Sequence, residues 1–132
     1  MQGEKNLSIL LKTMTPELNE GEYVFCIMPP GQELNASTII GSFREKEGMT
    51  VVLKKRDADA LGLSYHYVAA WITLTVHSSL DAVGLTAAFA KALAEVDISC
   101  NVIAAYYHDH IFVAKKDAGK AMEALRKLSV SF

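Results

Sequence analysis

The sequence predicts an α+β chain that uses a split βαβ plan twice, with antiparallel strand pairing and helices on one face. Three observations carry this. Trp71 to Val76 alternates with period two, and a polar break separates it from an apolar run, Ala82 to Val96. A hairpin followed by a capped helix occurs in each half of the chain. A length of 132 residues with 51% hydrophobic and 21% charged composition fits one compact unit, or two very small subdomains sharing a core.

Taken in order, Ser8 to Met14 reads as a strand and Thr15-Pro16-Glu17-Leu18 as a helical turn with proline at its first position. Gly21 ends that turn, and Tyr23 to Met28 reads as a buried strand. Pro29-Pro30-Gly31 stops it, and a polar loop runs to Thr38. Ile39 to Arg44 and Thr50 to Lys54 pair over Glu45-Lys46-Glu47-Gly48. Asp57 caps a short helix through Leu61, and Gly62 closes it in the left-handed conformation common at such ends. Tyr65 to Val68 is a short strand.

The strand at Trp71 places Ile72, Leu74 and Val76 on one face and Trp71, Thr73, Thr75 and His77 on the other. Ser78 or Asp81 can cap the helix that follows. Its polar stripe is only Thr86, Lys91 and Glu95, beside many alanines, so the helix is expected to be covered on more than one side. Ser99 to Tyr106 and His110 to Ala114 form a second hairpin around a polar turn, His108-Asp109. Asp117 caps a last helix, on which Glu123 and Lys127 make an exposed pair.

The two halves repeat one pattern. Ile39-Ile40-Gly41-Ser42-Phe43, turn, Thr50 to Leu53 and Lys55-Arg56-Asp57-Ala58 match Val102 to Tyr106, turn, His110 to Val113 and Lys115-Lys116-Asp117-Ala118. The upstream helix of the second half has no full counterpart in the first, where the Pro-Pro-Gly loop stands instead.

Composition narrows the chemistry. Thirteen Lys and Arg against fifteen acidic residues give no electrostatic case for nucleic acid or a membrane surface. No apolar run reaches membrane-span length, and the start MQGEKNLS lacks a signal-peptide core, so a cytoplasmic protein with reduced core thiols at Cys26 and Cys100 is expected. His108 and His110 share a strand face, yet a zinc site needs more ligands than they supply, and no metal or other cofactor is expected. His66 and His77 read as structural strand-end residues. Ser78 and Ser79 beside His77 are too close in sequence for a nucleophilic triad, and no Gly-rich phosphate loop is present.

The strand–helix junction is the leading candidate site. Backbone N–H groups at a helix start attract carboxylates and phosphates, and Gly84 lets a ligand or a neighbouring chain approach the backbone closely. Asp81 has two readings, helix cap or partner of a ligand ammonium, and Gly84 could also simply ease packing.

The strand ending at His77, the turn Asp81-Ala82-Val83-Gly84-Leu85 and the hairpin Tyr106 to Val113 make the second half resemble an ACT domain, an amino-acid-sensing regulatory module. The whole chain resembles small bacterial proteins made of two tandem ACT domains, each a ferredoxin-like βαββαβ unit. The resemblance implies units over residues 15–68 and 69–132, the second closed by an N-terminal strand over 7–14. It also implies an amino acid bound where ACT units meet. Carried over by position, the ligand turn is His77, Ser78, Asp81, Ala82, Val83, Gly84 and Leu85. The facing wall is Ile40, Gly41, Ser42 and Phe43, or Ile103, Ala104 and Ala105.

The function expected is a non-catalytic sensor that binds a free amino acid, forms a homo-oligomer and acts on a separate protein partner. The competing reading is a structural or protein-interaction module with a degenerate pocket, and a small enzyme of the same plan comes third.

Overall fold

The computed structural model describes residues 6–76 and 83–130. The chain divides into two compact units, residues 1–20 with 70–132 and residues 21–69. The division therefore differs from the one expected at 68/69, since residues 15–20 belong with the C-terminal half.

The larger unit opens with helix α1 (Leu7–Thr13), not the strand expected over residues 7–14. Asn6 Oδ1 accepts the Ile9 N–H at 3.2 Å and starts the helix. Leu10 and Leu11 are both 0% exposed, and adjacent residues of a strand cannot share one face. Strand β1 (Thr15–Leu18) follows where a helical turn was expected, and it pairs antiparallel with β5 (Val68–Thr75), Thr15 opposite Thr75. The Asn19 N–H donates to the Trp71 carbonyl at 2.9 Å. The ladder's alternation then directs the odd residues of β1 at β5 and leaves the position of Pro16, which has no N–H, on the outer edge.

Next come α3 (Leu85–Glu95), β6 (Asn101–Ala104), β7 (Asp109–Ala114), a 3-10 turn (Lys115–Asp117) and α4 (Ala118–Val130). Strand order in this unit is β1–β5–β7–β6. Ile72 and Leu74 of β5 and Ile111 and Val113 of β7 meet Leu85, Phe89 and Leu93 of α3, Ala121 and Leu125 of α4, and Leu10 and Leu11 of α1 in one core. Both α4 and α1 pack on α3, which accounts for its thin polar stripe. Glu123 and Lys127 form the exposed i,i+4 pair at 3.1 Å. Asp117 lies in the 3-10 turn, ahead of α4. Asp109 does not sit in a polar turn: it opens β7 and is 7% exposed, while the Ala105 N–H closes the turn on the His108 carbonyl.

The smaller unit contains β2 (Tyr23–Ile27), β3 (Ile39–Arg44), β4 (Met49–Lys54), α2 (Lys55–Leu61) and the first two residues of β5, in strand order β3–β4–β2–β5. Only Val68 and Ala69 close it, opposite Val24 and Tyr23. The strand expected over Tyr65–Val68 is thus a loop until its last residue. Residues 28–38 make turns in place of a first helix, and Asn35 Oδ1 accepts from the Ser37 N–H and hydroxyl. Gly62 ends α2 at φ 70°, as the sequence predicts, but α2 starts at Lys55 without a side-chain cap, so Asp57 sits in the first turn. Val24, Cys26, Val51, Leu53, Ala58 and Leu63 form this unit's core.

By role the two strand orders are the same: hairpin strand, its partner, leading strand, closing strand. The fold is the ferredoxin-like βαββαβ plan in tandem, with the first helix missing from the smaller unit.

Candidate functional site

The junction after β5 is built around Gly84. Its φ of 97° is left-handed, a geometry that glycine adopts without steric cost, and it puts the N-cap of α3 at Gly84. The helix therefore starts three residues later than the Ala82 expected, and neither Ser78 nor Asp81 occupies the cap position. His77, Ser78, Asp81 and Ala82 themselves lie outside the described residues. The first helical bond runs from the Ala88 N–H to the Gly84 carbonyl at 2.9 Å. The N–H groups of Leu85, Thr86 and Ala87 come before it and have no carbonyl of α3 to reach. Val83 is 83% exposed, whereas the Leu85 side chain is buried in the core, so Leu85 offers this turn only its backbone.

A Cβ added at Gly84 would stand 3.1 Å from Leu7 Cδ2. Helix α1 thus approaches the junction closely, which the sequence did not reveal because Ser8 to Met14 reads as a strand.

The candidate wall residues Ile103 and Ala104 are exposed on β6, an edge strand of the same unit, and Ala105 follows it. Strand β7 separates β6 from β5. The wall strand β6 therefore does not pair with the strand that leads into the turn. In the smaller unit Ile40 and Gly41 are half-buried on the edge strand β3, next to a register shift between Ile39 and Gly41, while Ser42 and Phe43 are exposed.

Sequence reasoning missed two features of the larger unit. The tip between β6 and β7 carries Tyr106 and Tyr107, exposed at 64% and 66%, their rings edge-on at 5.0 Å. His108 Nδ1 stands 3.5 Å from the Val76 carbonyl, so this tip lies beside the end of β5. The second feature is a polar network: Trp71 Nε1 donates to His110 Nδ1 at 3.0 Å, Thr73 Oγ1 stands 3.3 Å from the same nitrogen, and Asn19 Nδ2 donates to Thr73 Oγ1 at 3.0 Å. The period-two face of the strand pointed to Trp71 and Thr73 but not to His110 or Asn19.

Electrostatics follow burial. Desolvation lowers the His110 pKa, with a smaller push from His108. Desolvation raises the Asp109 carboxyl, partly offset by His108. Burial raises both thiols, Cys100 to about 11, where the nucleophilic thiolate is scarce. Among the described residues, no three His, Cys, Asp or Glu side chains converge to hold a metal. Among them too, no helix is long and apolar enough to cross a membrane.

Comparison with known proteins gives a consistent picture. One ACT domain model matches residues 2–70 and a second matches residues 67–127. The chain is 51% identical to a Vibrio cholerae protein of unknown function called a possible transport protein. The TM-score is 0.83, over 95% of this chain and 97% of that one. An Agrobacterium tumefaciens protein shares the fold at 15% identity and a TM-score of 0.68, over 88% and 89% of the two chains. The ligand-free regulatory subunit of aspartate kinase from Thermus thermophilus shares it at 11% identity and 0.64, over 89% and 97%. No curated protein matches.

Proposed function

The chain belongs to the ACT domain family, and from that membership we propose that it is a regulatory, non-catalytic protein that binds a free amino acid at the β5–α3 junction. The observation that carries this reading is the start of α3 at Gly84, a left-handed residue without a side chain, beside first amides that, as at any helix start, have no helical acceptors. A ligand carboxylate suits that end of a helix dipole, and Asp81 is the candidate partner for the ammonium. The strand β7 stands between β5 and β6, which supports a facing wall, Ile103–Ala105, supplied by a second copy of the chain in a homo-oligomer. Signalling passes to a separate protein in the cytoplasm, through the assembly that the ligand favours.

A thermal-shift screen of the twenty amino acids tests this. A ligand at one hundred times its Kd stabilises the fold by about 2.7 kcal/mol. The expected result is a selective shift that Asp81→Ala abolishes. No shift with any amino acid, from a cooperatively folded protein, would refute the reading.

A second reading draws on Leu7. Its approach gives Gly84 a packing role that needs no ligand, and this favours a structural or protein-interaction module.

A further inference from the structure

The smaller unit contains a cleft of about 520 Å³, a volume typical of ligand sites. Its walls are the end of β2, Thr50 of β4 and the connection Gly62–His66 that follows α2.

The cleft exists because the closing strand stops short. Val68 and Ala69 pair with Val24 and Tyr23, and the same register continued would set Tyr65 opposite Ile27. Tyr65 is held elsewhere: its hydroxyl donates to Asp59 Oδ1 at 2.7 Å, and Lys55 Nζ bonds Asp59 Oδ2 at 3.1 Å while standing 6.0 Å over the Tyr65 ring. Residue 65 is thereby tied to α2, and the strand position beside Ile27 is left to the cleft.

The ladder of β2 shows what Ile27 offers there. The Lys55 N–H donates to the Glu22 carbonyl and the Met28 N–H to the Met49 carbonyl, so the even residues of β2 bond to β4. Alternation turns the N–H and C=O of Ile27 the other way, into the cleft. The Ile27 side chain is 57% exposed. No Lys, Arg, Asp or Glu lines the walls, which are apolar surface with the hydroxyls of Thr50, Ser64 and Tyr65 and the ring of His66; the Thr50 and Tyr65 hydroxyls already donate to Glu45 and Asp59 behind them. A zwitterion would lose water at both charges and meet no charged side chain on the walls, the nearby carboxylates of Glu45 and Asp59 being bonded already to Thr50, and to Tyr65 and Lys55. A main-chain amide unit matches the donor and acceptor of Ile27 without that cost.

We propose that this cleft receives a short, uncharged, extended segment of a partner protein, which pairs its main chain with Ile27 and lays its side chains on Phe25, Pro29 and Leu63. The segment takes the place of the missing part of the closing strand. The site is distinct from the β5–α3 junction and does not depend on amino-acid binding there.

The test is an amide-shift titration of the full chain with acetyl-Val-Thr-Val-amide as the probe. Saturable shifts at Ile27, Ser64 and His66 are expected. Ile27→Pro removes the donor that faces the cleft, at an edge position where proline is accommodated, and should weaken binding about tenfold, while Ile27→Val should not. Ser64→Trp fills the cleft and should abolish the shifts whether or not the proline variant folds. The uncapped, zwitterionic Val-Thr-Val should bind more weakly than the capped probe. No saturable shift at these amides, or undiminished binding by Ser64→Trp, would overturn the proposal. So would a free amino acid that saturates the same amides more tightly than the capped peptide.

Discussion

The indole N–H of Trp71 donates to His110 Nδ1 across 3.0 Å, and because an indole nitrogen can only donate, that imidazole nitrogen must be the acceptor. The ring proton of neutral His110 therefore sits on Nε2, and protonating Nδ1 would break the bond to Trp71. Burial and the nearby His108 both depress the His110 pKa below its ordinary 6.5. The unfolded chain then binds the proton more readily than the folded one. Stability from this group is complete above about pH 6.5 and is lost as pH falls through that value toward the lower folded pKa. Asp109, whose carboxyl is raised, contributes in the opposite sense at lower pH. The melting temperature should fall between about pH 7.5 and pH 5.5, and His110→Gln, which keeps an acceptor, should flatten that fall. An equal fall in both proteins would contradict the account.

Gly84→Ala should destabilise the fold by about 2 kcal/mol, since alanine pays for the left-handed φ and meets Leu7 at 3.1 Å. Adding Leu7→Ala relieves the steric part only. In urea unfolding, the double variant should lose less than the sum of the singles, by about 0.5–1 kcal/mol. Strict additivity would mean that α1 does not press on the junction.

Leu10→Ala should cost about 3 kcal/mol, because the residue is fully buried among Leu74, Phe89 and Leu125 in the core. Leu11→Ala should cost a comparable amount, whereas Ile9→Ala, on the exposed side, should cost well under 1 kcal/mol. Strand-like alternation, with Leu10 or Leu11 tolerant and Ile9 sensitive, would contradict the helix.

That N-terminal helix marks the limit of what the sequence revealed. The hairpins were legible because apolar alternation and the Glu45–Gly48 turn are local signals, and the second closes at Ala105–His108 in a similarly short turn. Ser8 to Met14 was misread because seven residues show barely two helical turns, the Asn6 cap lies outside that window, and the adjacent pair Leu10-Leu11 suits a short buried strand as well as a helix. Pro16 looked like a helix start, because proline suits both a first helical turn and an outer strand edge, and only pairing with β5 decides between them. The sequence singles out Gly84 as a candidate site residue, and the structure places it at the N-cap of α3. Its left-handed φ, which delays α3 by three residues, and the approach of Leu7 from a distant segment leave no local pattern in the sequence.

Cys100 should resist alkylation. With its thiol raised from 9.0 to about 11, its thiolate population near pH 8 is about a hundredfold below that of an ordinary cysteine. Timed reaction with iodoacetamide should be slow in buffer and fast in urea for this residue. Fast labelling of the folded protein would show that the thiol is not buried as described.

On the proposed reading, the first amides of α3, which follow Gly84, take a ligand carboxylate. Recording the backbone amide resonances of Leu85, Thr86 and Ala87 while adding each amino acid tests it most directly. Saturable shifts at these amides are expected with one amino acid or a related few, and their loss in Asp81→Ala. Binding that moves only distant amides, or no movement with any of the twenty, would contradict it.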